Sequence, residues 1–169
     1  MKDASWTVEF NTHVLANGIG PKGERDHFQR DNLNNLIWQQ SWWYSAFTQA
    51  IELAHMHRIK AADIHMNLAV KATTDLYRRR YGDDKFRIHE AIMPGTRVTF
   101  EAVVADHVTK SNLEAILDKM GKYVGLSPYG YRLGFGKFNV CSVEVASSDN
   151  ENSEASGDRQ PEAPAEKAG

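Results

Sequence analysis

Twice in this chain a stripe of apolar residues at helical spacing stands between runs of alternating residues, and that order limits the fold more than any other feature. The first stripe is Trp43, Phe47, Ala50, Ile51 and Ala54, widened by Trp42, Ala46 and Leu53. Residues three and four apart share a helix face, so the spacing predicts an amphipathic helix with Ser41 as its N-cap. The second stripe is Leu113, Ile116, Leu117, Met120 and Val124, preceded by Ser111-Asn-Leu-Glu114 in capping-box form and stopped by Gly125. Alternation predicts four strands around these helices. They run through Val8, Phe10, Thr12 and Val14; through Ile64, Met66, Leu68 and Val70; through Val98, Phe100 and Val103-Val104; and through Phe138, Val140, Val143 and Val145. In the last of these the phase changes near Cys141-Ser142, which predicts a bulge. The order β-α-β-β-α-β with right-handed crossovers predicts an α+β, ferredoxin-like (RRM-like) domain: an antiparallel four-stranded sheet with two helices on one face.

At 169 residues, 41% of them hydrophobic, the chain can build one core, expected over residues 1–146. From 147 to 169 the composition shifts to Ser, Glu, Pro and Ala. Six acids (Asp149, Glu151, Glu154, Asp158, Glu162, Glu166) face only Arg159 and Lys167, so this tail carries −4 against a formal −2 for the whole chain and leaves the rest at +2. Without large apolar side chains it cannot offset the entropy of ordering, and a disordered acidic tail is expected. No apolar run approaches the length of a membrane span, and Met1-Lys-Asp-Ala-Ser-Trp6 lacks the apolar stretch of a secretory signal. The expectation is a cytoplasmic protein with no membrane partner. Cys141, the one cysteine, reads as a small buried or half-buried residue, with no disulfide within the chain.

Gly18-Ile-Gly-Pro-Lys-Gly23 matches the spacing of a dinucleotide fingerprint just after a strand. That motif needs a helix to open there and hold the pyrophosphate, yet Glu24 to Asn35 offers only Phe28 and Leu33 as large apolar residues. The segment therefore reads as a long charged loop carrying Lys22, Arg25 and Arg30 with Asp26, His27 and Asp31. The pair His55 and His57 is spaced wrongly for two ligands on one helix face and reads as an exposed helix end; no metal site is expected.

Two further stretches suit a polyanion. Between the second and third strands, Lys71 to Arg97 interleaves Arg78, Arg79, Arg80, Lys85 and Arg87 with Tyr77, Tyr81 and Phe86. Basic side chains release counterions on meeting phosphate, and aromatic rings between them can stack on bases. Gly125-Leu-Ser-Pro-Tyr-Gly-Tyr-Arg-Leu-Gly-Phe-Gly-Lys-Phe138 holds four of the twelve glycines, beside Tyr129, Tyr131, Arg132, Phe135 and Lys137. Glycines such as Gly134 and Gly136 permit positive φ and close backbone approach, here read as room for a phosphate.

Three stretches in this order resemble the RAMP superfamily of CRISPR-associated proteins, most of all the repeated backbone subunits of type III effector complexes. They are the charged loop Gly18 to Asp31 running through Leu36-Ile-Trp-Gln-Gln-Ser41 into a helix; the strand entry Ala91-Ile-Met-Pro-Gly-Thr-Arg-Val-Thr-Phe100 after a basic insertion; and the closing loop with its Leu133-Gly-Phe-Gly-Lys-Phe138 ending. At the helix entry this chain keeps a single serine where the family has a longer serine and glycine motif. The resemblance implies a subunit that tracks single-stranded guide RNA in a ribonucleoprotein of antiviral defence, or a viral or stand-alone relative. Its partners would be RNA and copies of itself or other effector subunits, and it would need no cofactor. The same resemblance leaves two alternatives. One is an endoribonuclease in which Asp26 or Asp31 helps hold a divalent metal or aligns the 2′-hydroxyl while His27 acts as acid or base. The other is a phage structural or protein-interaction module, including a mimic of a CRISPR subunit.

Overall fold

The computed structural model describes residues 1–147. Its strands are β1 (Lys2–Phe10), β2 (Val14–Leu15), β3 (Gly18–Ile19), β4 (Arg25–His27), β5 (Gln29–Arg30), β6 (Leu36–Ile37), β7 (Ile64–Met66), β8 (Ala69–Val70), β9 (Asp75–Gly82), β10 (Lys85–Ile92), β11 (Arg97–Val104) and β12 (Phe138–Val145). The helices are α1 (Gln40–Leu53), α2 (Lys110–Lys119) and the short α3 (Gly130–Leu133).

Strands β12, β1, β11 and β7 form, in that order, an antiparallel sheet of four. Alternation decides its buried face: Ala4, Trp6, Val8 and Phe10 of β1 and Val98, Phe100, Ala102 and Val104 of β11 all point inward. Helix α1 lays Trp43, Phe47, Ala50 and Ile51 on that face, with the Trp43 ring 4.8 Å from Phe100 and 6.1 Å from Trp6 between centroids. Helix α2 adds Leu113, Ile116 and Leu117 to the same core and touches both α1 and β12. It runs on into a π-helical turn, Met120–Val124, that comes close against β12 at Gly121, where a Cβ would lie 2.3 Å from the Phe138 carbonyl. Only glycine allows that approach. Trp38, which no helical or strand pattern singles out, is fully buried between Phe10, Phe28, Trp43 and Phe100.

The α+β class and the four-stranded antiparallel sheet agree with the sequence reading, and so does the bulge. Thr7 pairs with Ser142 and Val8 with Val140, which leaves Cys141 as the extra residue. Cys141 is exposed, however, because the bulge throws it off the ladder. Other details differ. The first strand begins earlier and stops at Phe10, so Thr12 belongs to a turn and Val14 starts a different sheet. The second strand breaks after Met66, and Ala69–Val70 pairs with β6 instead. Helix α1 starts one residue before Ser41, with Gln39 as an N-cap that makes no side-chain bond, and Leu53 stays exposed. The capping box of α2 sits two residues upstream: the Thr109 hydroxyl accepts from the Asn112 amide while the Asn112 side chain accepts from the Thr109 amide.

Beside this core stands a second set of small ladders. The stretch expected as a loop is a pair of short ladders, β3 with β4 and β5 with β6, and Gly18 to Gly23 is strand and turn with no helix behind it. Strands β9 and β10 form a hairpin whose base is extended by β2. Among the described residues no helix is long and apolar enough to cross a membrane. The acidic tail, from Ser148 on, lies outside the described residues.

Candidate nucleic-acid interface

The β9–β10 hairpin pairs Arg78 with Ile88, Arg79 with Arg87 and Arg80 with Phe86. Since neighbours on a strand point to opposite faces, this register splits the three consecutive arginines. Arg78 and Arg80 share one face with Leu76, Phe86 and Ile88. All five are exposed, and the Arg78 guanidinium lies 3.7 Å from the Phe86 ring centroid. Arg80 comes within 3.9 Å of Asp83 at the tip, and Lys85 opens the return strand exposed.

Arg79 faces the other way, with Tyr77, Tyr81, Arg87 and His89, onto the glycine-rich segment. Its guanidinium carbon lies 4.6 Å from the Tyr129 ring centroid, and its Nε donates to His89 Nε2 at 3.2 Å. His89 is fully buried; its Nδ1 donates to the Ala16 carbonyl at 2.8 Å, leaving Nε2 as the acceptor that Arg79 uses. Tyr77 bridges His13, 4.1 Å between centroids, and Phe135 at 6.0 Å. Partial burial holds the His13 imidazole below its ordinary pKa. The two stretches read from the sequence as polyanion sites therefore meet in the fold, Arg79 on Tyr129 and Tyr77 on Phe135.

Two glycines of the closing segment make room for the chain itself. A Cβ on Gly125 would lie 2.4 Å from the Phe135 carbonyl, and one on Gly136 2.7 Å from the Leu126 backbone. The space they leave is filled by the chain itself, with Leu126 N–H donating to the Gly136 carbonyl and Gly136 N–H to the His13 carbonyl. Gly134 differs: its φ of 76° closes α3 in the left-handed region, and nothing stands within 4 Å of its Cβ position. Lys137 donates from Nζ to the Lys122 carbonyl, while Arg132 is exposed on α3; the Tyr131 side chain lies outside the described ones.

The charged segment of residues 18 to 37 leans on the same hairpin through Glu90. This buried carboxylate accepts from the Phe28 amide at 2.9 Å and from Thr74 Oγ1 at 2.7 Å, and pairs with Arg30. Arg30 is thus turned inward, whereas Lys22 and Arg25 remain exposed. Asp26, at a φ of 58°, reaches within 3.7 Å of Arg87. His27 Nδ1 donates to the Arg25 carbonyl at 2.8 Å. Asp31 serves its own turn: its oxygens accept from the Asn35 side chain and from the Leu33 and Asn35 amides. The Asn35 side chain foremost holds its pKa below the ordinary carboxylate range. Between this segment and the hairpin lies an open cleft of about 520 Å³ that brings His27, Glu24, Arg30 and Glu90 to one wall but not Asp31. Among the described residues no three His, Cys, Asp or Glu side chains gather closely enough to hold a metal ion. His89 and Glu90 escape the sequence reading because the partners that bury them, Ala16, Phe28 and Arg30, stand 60 to 73 positions away.

The solvent face of the main sheet has the opposite character. It presents Asp3, Glu9, Glu101 and Glu144 against Arg97, which is itself paired to Glu9 at 2.9 Å, and among the described residues it carries no Phe, Tyr or Trp. A concavity of about 860 Å³ on this side is lined by Asp3, Glu101 and Glu144 with His65.

No family model and no curated protein sequence matches the chain. Solved structures do. A chain of the type III-B Cmr-beta complex, in a structure bound to cognate target RNA, superposes with a TM-score of 0.50 at 15% identity, covering 85% of this chain. The likeness is one of fold. The match takes in 60% of that longer chain, so this protein spans well under its full length. The fold is thus one that occurs in a CRISPR-associated complex.

Proposed function

We propose that this chain is an RNA-binding module of the RAMP type with a ferredoxin-like core in residues 1–146, a backbone-type subunit that tracks single-stranded RNA along the β9–β10 hairpin and the segment around Tyr129. The observation that carries this reading is the meeting of those two stretches. Together they expose Arg78, Arg80, Lys85, Arg87 and Arg132 and hold Arg79, Tyr77, Tyr81, Phe86, Tyr129 and Phe135 among them. Cations spaced by rings suit a phosphate backbone with unstacked bases, and track it without reading sequence. The likeness of fold to a Cmr-beta chain supports the same reading, with copies of itself or other effector subunits as partners. The acidic sheet face, without Phe, Tyr or Trp among the described residues, speaks against an ordinary RNA-recognition surface there. Lys22 and Arg25 extend the basic surface along the charged segment. RNA binding of this kind calls for no cofactor.

The test is fluorescence anisotropy with labelled single-stranded RNA, with and without divalent metal, followed by gel analysis of the same RNA. Binding that weakens steeply with salt and leaves the RNA intact is expected. Absence of binding at low salt overturns the proposal in favour of a protein-interaction module. Cleavage replaces it with an endoribonuclease, for which His27 at the cleft and Asp26, which reaches toward Arg87, are the residues to substitute first.

A further inference from the structure

Of the three consecutive arginines, Arg79 alone is built in. It is half-buried, its guanidinium carbon lies over the Tyr129 ring, and its Nε is tied to a histidine with no solvent exposure. Among the described residues no carboxylate lies within ion-pair distance of it, in contrast to Arg30, Arg80, Arg87 and Arg97. Its terminal nitrogens donate to no protein atom among them, so the fork is left open on the side away from the Nε bond. Holding a cation partly out of water without a counter-charge is costly, and a guanidinium fixed at Nε presents its remaining fork in one orientation. An incoming dianionic or monoanionic oxygen group would find two parallel N–H donors already aimed.

We propose that Arg79, aimed by His89 and seated on Tyr129, is a preorganised subsite for a single phosphate group, with His89 as its positioning residue; Arg78 and Arg80, on the opposite face of the hairpin, would act as mobile charges. As a site on RNA this rests on the function proposed above, and as a phosphate subsite it stands apart from it. The donor arrangement makes His89 specific in its role. Its Nδ1 proton is spent on the Ala16 carbonyl, so only Nε2 can accept from Arg79. A glutamine can offer an acceptor near Nε2, whereas an asparagine can replace only the Nδ1 donor.

Two measurements on the full chain test this. In the first, the Arg79 Nε–H resonance is followed by nuclear magnetic resonance as uridine monophosphate or inorganic phosphate is added. It should shift with either, together with the Tyr129 ring resonances, and Arg79→Lys, which removes the Nε–H itself, should abolish the Tyr129 shifts. In the second, labelled oligouridine binding is compared across variants. Arg79→Lys keeps the charge but loses the fork, and should weaken binding nearly as much as Arg79→Ala, by about tenfold. His89→Asn should cost a similar factor and His89→Gln much less, while His89→Asn on top of Arg79→Ala should add nothing. Equal losses from His89→Asn with and without Arg79 would assign His89 a merely structural part and overturn the proposal. So would an Arg79→Lys variant that binds RNA like the parent. If His89→Asn fails to fold, Arg79→Lys, which leaves His89 in place, decides the matter with the phosphate titration. Parent protein that ignores RNA yet responds to phosphate at Arg79 would sink the RNA reading and keep the subsite; silence in both measurements overturns both.

Discussion

The solvent face of the main sheet and the β9–β10 hairpin are both antiparallel β-surfaces of one chain, and they are made in opposite ways. The sheet face is backed by a dense aromatic core and spends its outward positions on Thr, Ser and acids, with Thr7 and Thr99 hydrogen-bonded across it at 2.8 Å. The hairpin has almost no core of its own. It is held by a buried carboxylate, a buried histidine and ring contacts to a neighbouring segment, and it spends its outward positions on arginine and apolar side chains. A face whose stability comes from behind is free to be inert. One that must be tethered by polar groups carries its charges and its rings on the same few residues, which is where recognition of a polyanion can be built.

The comparison can be broken at the tether first. Glu90→Ala leaves the inward-turned Arg30 without its partner and the Phe28 amide without an acceptor, and should cost about 3 to 5 kcal/mol in urea denaturation. A near-neutral result would mean that the hairpin is held by something other than Glu90. The next effect is on binding. Replacing Arg78, Arg79 and Arg80 together by alanine should lower RNA affinity by about a hundredfold and reduce the salt slope by about 0.7 for each phosphate no longer neutralised. Parental affinity in that variant would place any RNA elsewhere. Smaller again, Gly136→Ala should cost about 2 kcal/mol of stability, because a Cβ at a φ of 74° would meet the Leu126 backbone at 2.7 Å. Gly134→Ala should cost about 1 kcal/mol, since its left-handed φ of 76° is strained for alanine but the space beside it is open. Equal costs would show that steric approach at Gly136 is relieved by backbone movement. The smallest change belongs to the sheet face. Glu101→Gln should stay within about 0.5 kcal/mol in thermal unfolding and leave RNA affinity unchanged or slightly higher. A marked loss of binding there would erase the distinction between the two surfaces.

Much of the core is legible in the sequence because its elements are long enough to show a period. Val98, Phe100 and Val104 mark β11 on sight, and Leu113 to Val124 carries one stripe through both an α-helix and the π-turn that follows it. The boundaries are harder: Thr109-x-x-Asn112 and Ser111-x-x-Glu114 are both capping patterns, and only the fold chooses the first. The strands β3 to β5 read as loop because strands of two or three residues have no room for alternation, and the segment is tied down by Glu90 and Phe28 rather than by its own pattern. At the candidate site the basic and aromatic residues are visible as composition, but not the way in which the strand period parts Arg79 from Arg78 and Arg80. The glycine-rich stretch reads as room for a ligand, while the close approaches at Gly125 and Gly136 are chain against chain. A sequence announces that backbone will come near something without saying what.

The burial of β10 changes abruptly along its length, exposed from Lys85 to Ile88 and buried from His89 to Ile92. Mechanically the hairpin is a cantilever, clamped at its root by buried residues and steadied farther out only by side-chain contacts such as Arg79 on Tyr129 and Arg87 near Asp26. Its amides should then exchange with deuterated solvent in two classes, the root opening only with the domain as a whole and the outer half fraying on its own. A load applied at the tip, by a bound strand or a neighbouring subunit, would bend the arm about His89 and Glu90 and leave the sheet beneath undisturbed.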